Sequence, residues 1–429
     1  MTFQNHSSHK TGSVLQQALN CSSCDATHHY VELEHTGSAS CSRCGSELYR
    51  HVHHGHDKAL VFSFTALLLF FFSHAFPFLA LQLGGRVEQN VMLSATRELY
   101  RQGFPELAVL VFATSILIPL LVISGMLTVL LLLKTGYRAP FIVHIYRFVK
   151  KLFPWSLVGV FMIGVLVAIV KLMDLATVIP GPALFFMLGL LISMVVAQAS
   201  LDERLIWNSV DLPNIDPHLE PYVDQFDDAW GKQPMVCCET CDLLLPVSYE
   251  NHHCPRCGEH LVFRKPHSLS RTWALLLTAA ILYIPANVYP IMTVTQFGHG
   301  QPDTIISGVQ HLIESQLWGL ALLVFFASIM VPILKILVLA GLLLSIQLKS
   351  CWRPRDRTRL FRLTEIVGAW SMIDIFLIGI LVSLVKLDAF ATIEAGPGAS
   401  FFAAVVVVTL LAAHSFDSRL IWDECQQYD

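Results

Sequence analysis

Long apolar runs alternate with polar intervals along the chain. Eight runs come close to or exceed the roughly 20 residues that a spanning helix needs. They are 59–81, 107–133, 155–173, 183–200, 273–296, 318–347, 366–387 and 399–416. Several end at Pro, Gly or charge, residues that stop helices. The pattern predicts eight transmembrane helices. The short interval between 155–173 and 183–200 predicts that these two form a tight pair.

The runs also repeat. "FATSILIP" (112–119) answers "FFASIMVP" (325–332), "WSLVGVFMIG" (155–164) answers "WSMIDIFLIG" (370–379), and "LVAIVKL" (166–172) answers "LVSLVKL" (381–387). "LDERLIW" (201–207) answers "FDSRLIW" (416–422), and Gly181-Pro182 answers Gly396-Pro397. The offset is 213 early in each half and 215 later. Each half has an even number of spans, so the repeats are parallel. Repeats in transporters commonly place a substrate path where they meet.

Composition agrees with a membrane protein. The 429 residues are 54% hydrophobic and only 14% charged, where soluble chains carry about 25% charge. A net charge of −4 argues against nucleic acid, which wants a basic surface. The polar, Cys- and His-rich opening lacks the pattern of a cleavable signal. Lys134, Arg138, Arg147, Lys150 and Lys151 follow the second run, and Lys349, Arg353, Arg355, Arg357, Arg359 and Arg362 follow the sixth. Positive loops stay in the cytoplasm, so the even-numbered loops, both termini and the central 201–272 are expected there.

Two stretches carry metal-binding chemistry. Cys21 and Cys24 precede Cys41 and Cys44 by sixteen residues, and Cys238 and Cys241 precede Cys254 and Cys257 by twelve. Two C-x-x-C knuckles at such separation offer four thiolates to one tetrahedral ion, the zinc-ribbon pattern. Gly45 and Gly258 follow the last knuckles, where the turn needs a permissive backbone. A closed four-thiolate site has no open position, so two structural zinc ions are expected. Iron in the same knuckles, redox thiols and disulfides are the alternatives; disulfides are rare in a reducing compartment. "HVHHGH" (51–56) reads as a polar tether or a further metal site. Residues 208–236, with Asp211, Asp216, Glu220, Asp224, Asp227 and Asp228, read as an acidic linker.

The second half places inside its spans a polar set that the first half nearly all lacks. Asp374 is about eight residues into the seventh, too deep for a short side chain to reach the interface. Ser371 shares its face. Ser328, Pro332 and Lys335 share a face of the sixth run; Pro332 has no N–H, which frees the Ser328 carbonyl near Lys335. Asn287 and Thr409 come from the fifth and eighth. At the matching positions the first half has Gly159, Val122, His74 and Met194 opposite Asp374, Lys335, Asn287 and Thr409. One bundle folds without nearly all of the set, so the set is read as functional, with a self-satisfied Lys335–Asp374 ion pair as the structural alternative. Lys171 and Lys386, present in both halves, read as interface anchors.

The paired heads with "CPRCG" (254–258), "IPANVYPIM" (284–292), "DTIISGV" (303–309), "FASIMVPILKI" (326–336), "WSMIDIF" (370–376) and "FDSRLIWD" (416–423) make the chain resemble the paraquat-inducible protein A family of bacterial inner-membrane proteins. The resemblance implies partnership with MCE-domain proteins, which form tubes across the periplasm. It also implies a role in moving lipid between membranes, and tetraspanin-type four-helix modules.

The expected architecture is therefore all-α, with eight transmembrane helices in two repeated four-helix modules and two small cytoplasmic zinc ribbons. A ribbon occupies 1–57, a module 58–200, the acidic linker 201–236, the second ribbon 237–265, the second module 266–416 and a tail 417–429. The expected function is to handle phospholipid-like molecules at the base of an MCE tunnel, through a polar site of Asp374, Lys335, Ser371, Thr409, Asn287 and Ser328. A scaffold that anchors and gates the tunnel, and a membrane redox protein, are the alternatives. Neither a phosphate-cradling Walker motif nor a hydrolytic triad is legible, so no enzyme is expected.

Overall fold

The structure, a computed structural model, describes residues 18–31, 33, 35–83, 86–136, 141–173, 177–208, 235–296, 299–384 and 391–427. Most of the acidic linker, the whole of Lys386 and the side chain of Lys171 lie outside the described residues.

Eight helices are long and apolar enough to cross a membrane: Gly55–Ala75, Pro105–Lys134, Phe141–Val170, Pro182–Ser200, Ser268–Val288, Trp318–Gln347, Pro354–Leu384 and Pro397–Ser415. The protein is a multi-pass membrane protein. Its lipid-facing surface is explicit on the fifth span, where Leu277, Ile281, Ile284 and Val288 fall on one face and are each 58–68% exposed. The element order of 55–208 returns in 268–423: span, hairpin, amphipathic helix, span with a five-residue π-helical turn, amphipathic helix, span, strand, span, short helix.

Two expected spans end early. The first stops at Ala75 and the fifth at Val288, where the sequence pattern continues to 81 and 296. Pro77 and Pro290 push the residue before them out of the helical region, and Phe76 and Tyr289 are extended. The apolar residues that follow are strands. Leu79–Leu83 pairs with Arg86–Asn90 and Thr177–Pro180, and Met292–Gln296 pairs with His299–Asp303 and Ala391–Ala395. Two three-stranded sheets therefore cap the end of the bundle opposite the Cys heads, an addition to the all-α expectation.

These sheets overturn the expected pairing of 155–173 with 183–200. The fourth span packs along the first, and the eighth along the fifth. The strand Thr177–Pro180 pairs beside Leu79–Gln82 and delivers the chain to the end of the first span. There Gly181 lies on the Pro77 carbonyl, and Gly396 lies on the Pro290 carbonyl; a Cβ at either glycine would overlap the backbone oxygen. This is why both halves carry Gly-Pro at that point. Gly396→Ala is expected to cost about 1–3 kcal/mol by overpacking, read as a lower melting temperature in detergent against Gly308→Ala, whose site has open space.

The two third spans meet at the centre. Gly164 comes within contact of Phe376, where a Cβ would be 3.2 Å from the phenylalanine Cβ. Between spans in lipid there is little hydrophobic drive, so such small-residue contacts carry the packing. Within the seventh span 72% of the apolar stretch is buried, against 22–50% in the others. It also packs on Met92–Arg101 of the first half, with Gly379 against Leu99. Gln102 bonds the backbone of Ile393 and Ala395 across the halves. One continuous core runs through both halves.

The heads cross over. Head one, at the N-terminus, packs on the second half, sharing a core with Leu339, Leu343, Phe361, Phe416 and Trp422. Head two packs on the first half, with Val129, Ile142, Tyr146, Ile206 and Trp207. The amphipathic helices Phe141–Leu152 and Pro354–Gly368 are the platforms.

Candidate functional site

Each head brings its four cysteines together. The ligand atoms of Cys21, Cys24, Cys41 and Cys44 lie within 4.8 Å of one another, as do those of Cys238, Cys241, Cys254 and Cys257, and all eight residues are buried. The knuckle turns explain the geometry. The N–H groups of Asp25, Gly45, Asp242 and Gly258 donate back to Cys21, Cys41, Cys238 and Cys254 at 2.8–3.0 Å. All four turn residues have positive φ, of 60°, 75°, 55° and 70°. The glycines were legible in the sequence; the two aspartates adopt the same conformation, which Asp tolerates. Four buried, converging thiols with no other function in the fold fit a metal ion, and each cluster could hold one.

Surrounding donors differ between the heads. In head one Ser46 Oγ lies 2.9 Å from Cys21 Sγ, and Arg362 Nη2 donates to Cys44 Sγ at 3.1 Å. Such bonds orient ligands and offset thiolate charge. Head two is held through its backbone, Arg147 to the Cys257 carbonyl at 3.2 Å and Lys150 to the Thr240 carbonyl at 3.0 Å. The "FDSR" motif completes this end. Arg419 bonds Asp417 and Glu239 at 2.8 Å. Burial pushes the Asp417 carboxyl up, but Arg419 more than offsets it and leaves the group below its ordinary range. The His-rich stretch forms no further cluster among the described residues: His51 faces Asp202 at 3.8 Å and His53 stacks on His54.

Inside the bundle the expected polar set divides. Asp374 and Ser328 are buried and line one cavity of about 50 Å³, whose other walls are mainly apolar, among them Leu377, Ile378, Leu381 and Val324. Asp303 and Thr304 close it from the hairpin side. Ser328 sits at the centre of the π-helical turn Phe326–Met330, which runs directly into the Val331–Gln347 helix with Pro332 in its first turn. That turn re-registers the helix around the proline, and Ser328 Oγ has no hydrogen-bond partner among the described residues. A cavity needs about 10–15 Å³ of this kind for each water, so a few waters fit and a lipid headgroup does not.

Lys335 is elsewhere. Its Nζ lies against Gly368, where a Cβ would meet it at 2.7 Å, and it makes neither a hydrogen bond nor an ion pair among the described residues. The Lys335–Asp374 ion pair of the structural alternative does not form, and the Ser328 carbonyl does not hold the ammonium. The lysine is carried toward the helix Pro354–Gly368, and the acid whose charge reaches it is Glu365. Thr409 is buried and bonds the Val406 carbonyl at 3.0 Å. Asn287 bonds the Tyr283 carbonyl at 2.8 Å in its own helix, and Ser371 is buried at the start of the seventh span.

Sequence reasoning missed Glu365 and His414. Both line a cavity of about 270 Å³ at the head end. The signal was present: the offset that sets Asp374 against Gly159 sets Glu365 against Lys150 and His414 against Ala199.

Comparison with known proteins places these features in a family. The profile described as "Paraquat-inducible protein A" matches residues 56–211 and again 269–426. The chain is 31% identical to the "Intermembrane transport protein PqiA" of Escherichia coli strain K12 over 416 residues, 94% of this chain and 95% of the relative. It is equally, 31%, identical to the "Lipophilic envelope-spanning tunnel protein A" of the same organism over 408 residues, covering 94% and 90%. A "Probable intermembrane transport protein" of Haemophilus influenzae is 28% identical, covering 94% and 95%. No solved structure matches.

Proposed function

The chain belongs to the paraquat-inducible protein A family, matched over both halves, and we propose that it is a non-enzymatic inner-membrane transport component. It handles phospholipid-like molecules for transfer between inner and outer membranes, at the base of a tunnel formed by an MCE-domain partner. Both termini and both heads lie in the cytoplasm, and each head holds a structural zinc ion. The printed names of the relatives, intermembrane transport and an envelope-spanning tunnel, support the transport class.

The observation that carries the reading is Asp374: a carboxylate facing a cavity from the most enclosed span, at the seam of the halves. A carboxylate in a span costs about 2.5–3.5 kcal/mol on insertion scales, and the first half does without one. The water-sized cavity favours a coupling proton at Asp374 in this conformation. A headgroup would enter only after the seam opens, as repeats rock against each other. Lys335, Ser371, Thr409, Asn287 and Ser328 are the supporting polar groups of the second half.

The experiment is photocrosslinking in cells, with a photoreactive residue at Thr409 and, as control, at its counterpart Met194. Captured phospholipid is expected well above background at 409 and near background at 194. Equal or absent capture by a folded protein moves the reading to a scaffold that gates the tunnel without touching lipid.

A further inference from the structure

At the head end a cleft of about 680 Å³ opens between the halves. Head two, the helix Phe141–Leu152 and the adjoining ends of the fifth and eighth spans enclose it. Its wall carries five cations, Arg147, Lys150, Lys151, Lys265 and Arg271, against two carboxylates, Glu239 and Glu259. Both acids are already engaged: Glu239 with Arg419 at 2.8 Å, and Glu259 with Lys151 at 3.0 Å and Arg147 at 3.6 Å. Lys150 is held by Glu203 at 2.8 Å.

Two cations make no ion pair among the described residues, and of the two only Lys265 has an acid, Glu365, whose charge reaches it. Lys265 Nζ donates to the His414 carbonyl at 2.9 Å and has further donors to give. Arg271 is exposed and makes no ion pair among the described residues. It stands in the first turn of the fifth span, Ser268–Val288, where the helix dipole disfavours a cation. The helix alone gives no reason for a cation there, whereas an anion at that place does.

The rim of the cleft is apolar and continuous with the lipid-facing surface. Trp155 stacks on His414 at 6.5 Å, and Leu411, in the last turns of the eighth span, is 41% exposed. Tryptophan favours the boundary between headgroups and chains. A basic pocket between spans at that level suits an anionic headgroup, and the volume falls within the ~300–1,000 Å³ of ligand pockets.

The geometry points to a binding site for the phosphate of an anionic phospholipid drawn from the leaflet on the head side. Lys265 and Arg271 hold the phosphate, and Trp155 and Leu411 hold the glycerol and the start of the chains. The site is independent of the role given to Asp374. A free phosphate would meet the same two cations, so the test must separate the sources.

The full-length protein in detergent is titrated with phosphatidylglycerol, phosphatidylcholine or inorganic phosphate, and bound ligand is counted by native mass spectrometry. Phosphatidylglycerol is expected to bind in preference to phosphatidylcholine. Lys265→Gln with Arg271→Gln should weaken it about 25-fold, roughly fivefold per cation. Arg271→Gln alone, on an exposed side chain, gives about fivefold and serves if the double variant does not fold. Removing Lys349 and Arg353, exposed cations outside the cleft, should leave retention unchanged. Equal retention of the two lipids, or an equal loss in the control, overturns the site. Binding of inorganic phosphate with the same charge dependence, and none of phosphatidylglycerol, overturns the lipid source.

Discussion

Replacing Asp374 by Ala is expected to leave the protein in the membrane at normal abundance and to abolish lipid transfer. The first half is the internal control. It places Gly159 at the same point of "WSLVGVFMIG" and still folds a span there. Removing a buried carboxylate also removes its insertion cost, about 2.5–3.5 kcal/mol, so the melting temperature should hold or rise. If Asp374 takes and releases a proton, the loss of rate is on the order of 100-fold, the usual contribution of a positioned acid–base group. Asp374→Asn separates charge from shape: it keeps the size of the side chain that lines the cavity but cannot cycle a proton, and should fail equally. Transfer between reconstituted vesicles, alongside melting in detergent, checks both. A folded Asp374→Ala protein with normal transfer would sink the proposal. A variant that unfolds before it stops transferring would favour the scaffold.

The second large effect is at head two. Cys254→Ser should lower bound metal by one ion per chain, since each of the two clusters could hold one. A structural zinc supplies about 10–16 kcal/mol to a small domain at neutral pH, far more than the few buried side chains of head two contribute. Val236, Leu243, Leu245 and Leu261 should therefore become accessible, and Trp207, packed edge-on against Tyr146 at 5.3 Å, should change its fluorescence. Head one rests on the other half and should keep its ion. Elemental analysis reads the metal directly: zinc at two per chain is expected, whereas iron with visible absorption would support the alternative of iron in the same knuckles. Loss of both ions from the single variant would contradict the independence of the heads.

The spans and the knuckles were legible because their signals are local. A run of apolar side chains forces its own backbone bonds inward in lipid, and C-x-x-C followed by a turn-tolerant residue closes on itself within six residues. Asp374 stood out because the repeat offers a blank copy. Where local signals compete, the sequence misled. The apolar "LALQL" and "MTVTQ" read as helix because run length outweighed Pro77 and Pro290, yet those prolines turn both segments into strands.

The sequence by itself determined eight spans, their two-fold recurrence, two four-thiolate clusters and the absence from the first half of counterparts to Asp374, Lys335, Asn287 and Thr409, since each is written in spacing along the chain. Only the tertiary structure decided that the fourth span packs on the first, that each head sits on the opposite half, and that the seventh span is the enclosed one. It also decided that Lys335 turns toward Gly368 while Asp374 faces the cavity with Ser328. Helical spacing fixes the face a side chain shares, not the neighbour it meets; that neighbour is chosen by the strands that steer the spans and by glycines that admit close contact.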